Sequence, residues 1–203
     1  GELDEDMMGG LTISIVIPAR NEEAHIGKVL ETLPEFVDHA IVIDDGSTDA
    51  TYSVAKATVS SAQVTVLQTD GVGVGAAIDV GHQHLLKTIE HPFISAVMAG
   101  DGQMDPNDLA SILQPILDGE ADHVKGNRMS TSSAIEQMPK RRRRASRILG
   151  WLTTLASGRV TSDPQCGYTA TSSNLLHQWN WEQSWKGYGY PNYWLIHLAS
   201  QGW

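Results

Sequence analysis

The apolar residues of this chain come in short runs, and each run in the first half stops at a polar cluster. LTISIVIP (11–18), HAIVIDD (39–45), AQVTVLQTD (62–70) and PFISAVMAG (92–100) are rich in β-branched residues and too short for buried helices, so they predict strands. Between them the apolar spacing becomes helical. In ARNEEAHIGKVLETLP, Ile26, Val29, Leu30 and Leu33 share one face, with Asn21 expected as N-cap and Glu22 and Glu23 in the first turn. Helical sequence also runs from Ala50 to Thr58, and GVGVGAAIDVGHQHLLKTIE reads as a glycine-rich turn opening a helix. Strands alternating with helices over short connections predict an α/β fold with a mostly parallel sheet covered on both faces. Such sheets bind ligands at the carboxyl ends of their strands. The polar clusters at 20–22, 44–47, 70–75 and 100–105 all fall there.

After Pro106 the pattern is less regular. PNDLASILQPILDG predicts a helix, ADHVKGNR a strand and MSTSSAIEQMP a loop. RRRRASRILGWLTTLASG predicts an amphipathic helix with Ile148, Trp151, Leu152 and Leu155 on one face. DPQCGYTATS reads as a turn then a strand, and the tryptophan-rich remainder as largely helical. There is no internal repeat. Residues 1–10 read as an acidic, flexible leader and 11–203 as one domain.

Composition narrows the function classes. The 203 residues are 41% hydrophobic and 19% charged, which suits a globular chain with a sizeable core. No run of about 18 apolar residues exists, so no membrane-spanning helix is predicted. The acidic start is unlike a signal peptide, and a lone Cys166 fits a reducing, cytoplasmic setting. The formal net charge of -10 argues against non-specific nucleic-acid binding. One basic run opposes that trend, Lys140 to Arg144 with Arg147 beyond it. It reads either as the solvated face of a helix or as a site for a phosphate or an anionic membrane surface.

Three stretches invite chemistry. AVMAGDGQMDP ends an apolar run in a tight acidic turn, with Asp101, Asp105 and Asp108 close together. Like charges repel, so the cluster calls for a nearby cation or a catalytic duty. VIDDGSTD places Asp44 and Asp45 at a strand tip, where an acceptor reads a base edge or ribose hydroxyls, while Ser47 or Asp49 serves the next helix as cap. GVGVGAA satisfies G-x-G-x-x-A through Gly71, Gly73 and Ala76. That dinucleotide signature belongs after a first strand, with an acid closing the next strand. Here it follows the third strand, so a tight turn or a close backbone approach is the better reading.

Taken together, SIVIPARNEEAHIGKVLETLP, VIDDGSTDAT, GVGVGAAIDVG, VMAGDGQMDP and DPQCGYTA, in this order, resemble the family 2 glycosyltransferases, and especially their dolichol-phosphate mannosyltransferase-like branch. The resemblance spans Ser14 to about Leu198. It implies a GT-A fold, with a nucleotide-binding half over about 11–105 and an acceptor-side half over about 106–203. It also implies a nucleotide-sugar donor of the GDP-mannose or UDP-glucose type, Mg²⁺ or Mn²⁺, and inversion at the anomeric carbon. Residue by residue, Pro18, Ala19, Arg20 and Glu22 match the segment cradling the nucleoside. Asp44 matches the residue facing the base, with Asp45 and Gly46 in the same pocket. Gly73 and Gly75 fall in the glycine-rich turn, and Gly100 is the middle residue of the metal element.

That element is Asp-x-Asp in the family and Ala99-Gly100-Asp101 here, so the first aspartate is missing. Asp101 matches the second, and Gln103 stands where a neighbouring oxygen ligand lies. Val74 occupies a position where the family often carries lysine. Arg128 of KGNR matches a segment near donor sugar and acceptor, and its plain alternative is a surface ion pair. Asp163 matches an acidic position near the reacting centre, and otherwise reads as a turn aspartate before Pro164.

The resemblance to that branch implies a polyprenyl phosphate acceptor; the basic run, through Arg141, Arg142, Arg143 and Arg144, is then expected to hold its phosphate and to bring the chain to the cytoplasmic face of a membrane. A hydroxyl acceptor, with Asp163 as base, is the alternative within the class. A nucleotide-binding module without turnover is the alternative outside it.

Overall fold

The computed structural model describes residues 10–127, 150, 153–155, 158, 163, 166–187 and 189–202. Six strands form one sheet: β1 (Thr12–Ala19), β2 (His39–Asp45), β3 (Gln63–Thr69), β4 (Phe93–Val97), β5 (His123–Lys125) and β6 (Thr169–Ser172). Their spatial order is β3-β2-β1-β4-β6-β5. β1 runs parallel to β2 and β4, and β2 to β3, whereas β6 is antiparallel to both β4 and β5. This is the mixed, mostly parallel sheet that the resemblance implies.

The helices are α1 (Ile26–Glu31), α2 (Thr51–Ala57), α3 (Val74–Thr88), α4 (Leu109–Leu117), α5 (Ser173–Gln178) and α6 (Tyr190–Ser200). β1 is buried on both sides, as a central parallel strand must be. Ile13, Ile15 and Ile17 face Ile26 and Leu30 of α1 and Leu109 and Leu113 of α4. Val16 faces Ala77, Ile78 and Leu85 of α3 and Trp194 of α6. Helices as short as α1 and α2 are marginal alone. Burial of each large aliphatic side chain contributes about 1.5–3 kcal/mol, so the two apolar layers hold them.

Asn21 is not the N-cap of α1. It has a left-handed φ of 56°, and the helix begins only at Ile26 with no side-chain cap. Its side chain instead bonds the loop that follows β2. The turn-like 22–25 segment thus serves the strand ends rather than extending the helix.

On the α3 face, Ser14, Ser95, Thr171 and His123 lie in register across β1, β4, β6 and β5. His82 of α3 bonds Ser95 through Nδ1 at 3.0 Å, and His123 bonds Thr171 at 2.9 Å. Burial lowers the His82 pKa to about 3 and the His123 pKa to about 4, so both rings are neutral at physiological pH. Trp194 packs against both.

Candidate active site

The loops after β1 and β2 are laced together at the carboxyl end of the sheet. The Asn21 amide donates to Ser47 Oγ (2.9 Å), and Asn21 Oδ1 accepts from the Thr48 amide (2.8 Å). The Glu22 amide donates to Thr51 Oγ1 (2.7 Å). Glu23 is bonded at both ends to the 49–50 segment: its Oε2 accepts from the Ala50 amide, and its amide donates to Asp49 Oδ2. Asp49 also accepts from the Thr51 amide at 3.0 Å, but neither it nor Ser47 caps α2, whose N-cap position is Ala50 with no side-chain cap bond. Glu22 Oε2 lies 3.0 Å from His25 Nδ1.

Asp44 and Asp45 are nearly inaccessible, at 2% and 4% exposure. Successive strand residues point to opposite faces, so two adjacent carboxylates have different surroundings. Asp45 turns toward α3. Its Oδ1 accepts from Thr69 Oγ1 (2.6 Å) and the Val72 amide (2.7 Å), and its Oδ2 from the Gly73 amide (2.9 Å). Asp45 therefore fixes the glycine-rich turn. Asp44 accepts from the Ser47 amide and from Gln68 Nε2, both at 3.2 Å.

The glycines of the turn are explained by close approaches within the chain. Gly46 has φ +69°, and a Cβ there would lie 2.9 Å from the Gly71 amide nitrogen. At Gly73 (φ +94°) a Cβ would lie 2.9 Å from the Lys186 carbonyl oxygen. At Gly75 it would run into the Trp185 carbonyl and lie 2.9 Å from the Tyr190 ring. The approach expected of a ligand at Gly73 and Gly75 is thus made by the 185–190 segment, whose Lys186 carbonyl accepts from the Ala76 amide at 3.2 Å.

That segment is tied down by Asp79, which is 2% exposed. Asp79 Oδ1 accepts from Ser184 Oγ (2.9 Å) and Tyr190 Oη (2.8 Å), and Oδ2 from Lys186 Nζ (2.9 Å). Burial raises the Asp79 pKa, and the bonds from Lys186, Tyr190 and Ser184 pull it partly back. A raised folded pKa means that this carboxyl's contribution to stability is full below its unfolded pKa and is lost as pH rises through the folded value. The network accordingly specifies where the segment lies more than it stabilises the fold.

These contacts predict opposite outcomes at two helical glycines. Gly75→Ala lowers stability by about 1–3 kcal/mol, because no rotamer relieves a clash with backbone. Gly27→Ala in α1 meets only side chains at 3.4 Å and stabilises by roughly 0.5–1 kcal/mol. Urea denaturation of the two variants checks both signs.

Arg20 is exposed, and its guanidinium lies over Gly71, whose Cβ would be 3.7 Å from Nη1. It makes no hydrogen bond or ion pair among the described residues. Across the crevice, Gly100 packs so tightly that a Cβ would lie 3.0 Å from Ala19 Cβ, and its amide donates to the Pro18 carbonyl at 3.2 Å. Asp101 follows, partly exposed, with Oδ1 accepting from the Gln103 amide at 3.0 Å. Asp101, Gln103, Asp105, His25 and Lys28 line a cleft of about 470 Å³. A second cleft of about 410 Å³, by Asp122 and Leu198, lies at the opposite end of the sheet.

The motifs expected on the acceptor side converge here too. Tyr168 Oη donates to the Asp105 carbonyl at 3.3 Å, joining the 101–105 turn to the segment after Cys166. Lys125 Nζ donates to the carbonyls of Asp163 (2.9 Å) and Cys166 (2.7 Å), so the ends of KGNR and DPQC meet. Asp163 is buried at 3% exposure. Arg128, the run from Lys140 to Arg144, Arg147, Ile148, Trp151 and Leu152 lie outside the described residues. Leu155, the described member of the expected apolar stripe, is 64% exposed.

The profile of Glycosyl transferase family 2 matches residues 14–178. The chain belongs to that family. This glycosyltransferase is 29% identical over 185 residues to the UDP-N-acetylglucosamine–dolichyl-phosphate N-acetylglucosaminyltransferase of Methanococcus voltae, covering 83% of the chain and 72% of that relative. It is 28% identical to the polyprenol monophosphomannose synthase of Mycolicibacterium smegmatis, over 81% of the chain and 63% of the relative. Among solved structures it superposes on glucosyl-3-phosphoglycerate synthase of Mycobacterium tuberculosis, in complex with Mn²⁺, UDP and glucosyl-3-phosphoglycerate. The TM-score is 0.71 at 26% identity, covering 97% of this chain and 68% of the other. The same enzyme was also solved with Mg²⁺ and UDP.

Two residues of the candidate site do not stand out in the sequence. Gln68 was hidden because its partner, Asp44, is set by strand register rather than by spacing. Lys125 looked like an ordinary strand residue. Its one signal was a cation in a short strand beside a glycine. Among the described residues no group of three or more His, Cys, Asp or Glu is arranged to hold a metal. The donor set at Asp101 is one carboxylate with a side-chain amide nearby. Such oxygen-only, ligand-poor sites suit Mg²⁺ or Mn²⁺, which keep water and take ligands from substrate phosphates.

Proposed function

We propose that this glycosyltransferase moves a hexose, with inversion, from a nucleotide sugar to a polyprenyl phosphate. The observation that carries the reading is the crevice itself. An exposed, unengaged Arg20 and a partly exposed Asp101 flank the strand ends, where Asp44 and the loops around Pro18, Ala19, Glu22 and Gly46 form a rigid rim. The names of the Methanococcus and Mycolicibacterium relatives support the acceptor class.

In this reading the nucleoside sits against Pro18–Glu22 and Asp44, while Asp45, Gly73, Gly75 and Gly100 keep the walls in place. Asp101 and Gln103 would hold the divalent cation, which neutralises charge on a departing diphosphate when bound. Arg20 adds donors for the same phosphates. An oxygen of the acceptor phosphate attacks the anomeric carbon from the face opposite the diphosphate. The carbon–oxygen bond to the diphosphate breaks, and its electron pair leaves with the nucleoside diphosphate. A phosphate nucleophile is ionised at neutral pH, so no general base is required. Arg128 and Arg141–Arg144 hold the acceptor phosphate. The chain works peripherally at the cytoplasmic face of a membrane. No helix among the described residues is long and apolar enough to cross one.

A second reading has one observation in its favour, the structural likeness to glucosyl-3-phosphoglycerate synthase with phosphoglyceric acid bound. A soluble hydroxyl acceptor must lose a proton, and Asp163 would then take it. A thermal-shift panel of GDP-, UDP- and dTDP-sugars, with and without Mn²⁺, tests the donor half of both readings. A bound donor at about 100 times its Kd raises stability by about 2.7 kcal/mol through mass action, an upward shift of several degrees. No shift with any donor removes both readings. Transfer assays with a short polyprenyl phosphate and with phosphoglyceric acid then separate them.

A further inference from the structure

We propose that Gln68 discriminates among nucleobases, with Asp44 as the positioning residue that sets which way its amide faces. The inference rests on the nucleotide-sugar reading above and adds a residue to it.

Four observations meet at this pair. Asp44 and Gln68 are directly opposed in the parallel register of β2 and β3. Both lie at the carboxyl end of the sheet, beside the loop after β1. Asp44 is 2% exposed, and each of its oxygens accepts a hydrogen bond from within the chain. Gln68 is exposed, and its one side-chain hydrogen bond goes from Nε2 to Asp44 Oδ2 at 3.2 Å. A buried carboxylate with both oxygens engaged is poorly placed to touch a base. The exposed amide bonded to it has a free oxygen and a second N–H.

The chemistry of the pair fixes the polarity. A carboxamide that rotates freely offers either a donor or an acceptor. An ionised carboxylate only accepts, so Asp44 requires the NH₂ end of Gln68 to face it. Gln68 Oε1 is then turned away from Asp44 and presents an acceptor. A base with a ring N–H on its pairing edge satisfies that acceptor. Uracil and guanine carry one there. Adenine and cytosine place a ring-nitrogen lone pair at the corresponding position, so they engage the pair only in a shifted pose, through their exocyclic amine or the second N–H of Gln68. A polar group left unpaired in the unshifted pose is a strong source of rejection.

The test is calorimetry of UDP, GDP, ADP and CDP with the wild-type chain, Gln68→Leu and Asp44→Asn. Wild type is expected to favour UDP or GDP over both ADP and CDP by about tenfold or more. Asp44→Asn keeps the shape but no longer dictates the orientation of the amide, so the preference among the four falls to within about threefold. Gln68→Leu loses the preference by removing the acceptor. A Gln68 that merely supports β3 would lower affinity for all four alike and leave their ranking unchanged, which overturns the inference. An unchanged preference in Asp44→Asn overturns the positioning role. A wild type that binds several nucleoside diphosphates without preference rejects this inference alone, whereas one that binds none rejects the nucleotide-sugar reading with it. Circular dichroism of each variant separates a fold defect from a change of ranking.

Discussion

Asp101→Asn is expected to keep the fold and to lower sugar transfer at limiting Mn²⁺ by roughly a hundredfold. The fold survives because the one bond Asp101 makes is acceptance from the Gln103 amide, and an asparagine oxygen accepts it equally well. Transfer does not, because a neutral amide offers a divalent cation far less than a carboxylate. Asp101 is the sole aspartate of its Ala99-Gly100-Asp101 element, so no neighbouring carboxylate in that element compensates. Initial rates across a Mn²⁺ series check this. The variant should need much more metal to approach the wild-type rate, while metal-free affinity for the nucleoside diphosphate changes little. Wild-type rates at limiting metal would remove Asp101 from metal binding and shift attention to Arg20 as the principal phosphate contact.

The two halves of the chain were not equally legible. The four parallel strands follow from apolar runs whose length and β-branched content leave little alternative, and the ligand edge follows from the polar clusters that end them. These are local signals. The sheet's other two strands, β5 and β6, are only three and four residues long. Their order, with β6 inserted antiparallel between β4 and β5, is set by contacts distant in sequence, and no periodicity encodes it.

The same division runs through the site. Asp44 and Asp45 stood out because adjacent acids at a strand tip exceed what a turn needs. Their division of labour required the pleat: Asp45 turns toward the glycine-rich loop and Asp44 toward Gln68. Asn21 looked like a cap because Asn before an acidic first turn usually is one. Its left-handed backbone and its bonds to Thr48 belong to a loop-to-loop tie that only tertiary structure shows. Gly73 and Gly75 were legible as points of close approach. What approaches them, the 185–190 segment anchored on Asp79, comes from more than 100 residues away.

Replacement of Arg141, Arg142, Arg143 and Arg144 by glutamine is expected to weaken binding to anionic vesicles by about a thousandfold. Attraction to an anionic surface is worth about 1 kcal/mol per basic residue near it, and four such residues multiply to that order. The rest of the chain works against binding. With 24 acidic against 14 basic residues, it carries a formal charge of -10, so any attraction must be local to this run. Salt discriminates further, since raising ionic strength from about 0.1 M to 1 M shortens the screening length from roughly 10 Å to 3 Å. Wild type should therefore bind vesicles of phosphatidylserine and phosphatidylcholine at low salt and release them at high salt. Transfer to a short polyprenyl phosphate should fall in the variant along with vesicle binding, because the same charges are assigned to the acceptor phosphate. Affinity for the nucleoside diphosphate should not change, since the groups assigned to it are Arg20, Gln68 and Asp101. If the variant keeps both vesicle binding and transfer, the run is the solvated face of a helix. If wild type ignores polyprenyl phosphate and glycosylates phosphoglyceric acid, the acceptor is a hydroxyl. Asp163→Asn then becomes the decisive variant, with loss of the proton-accepting limb of the pH profile as its signature.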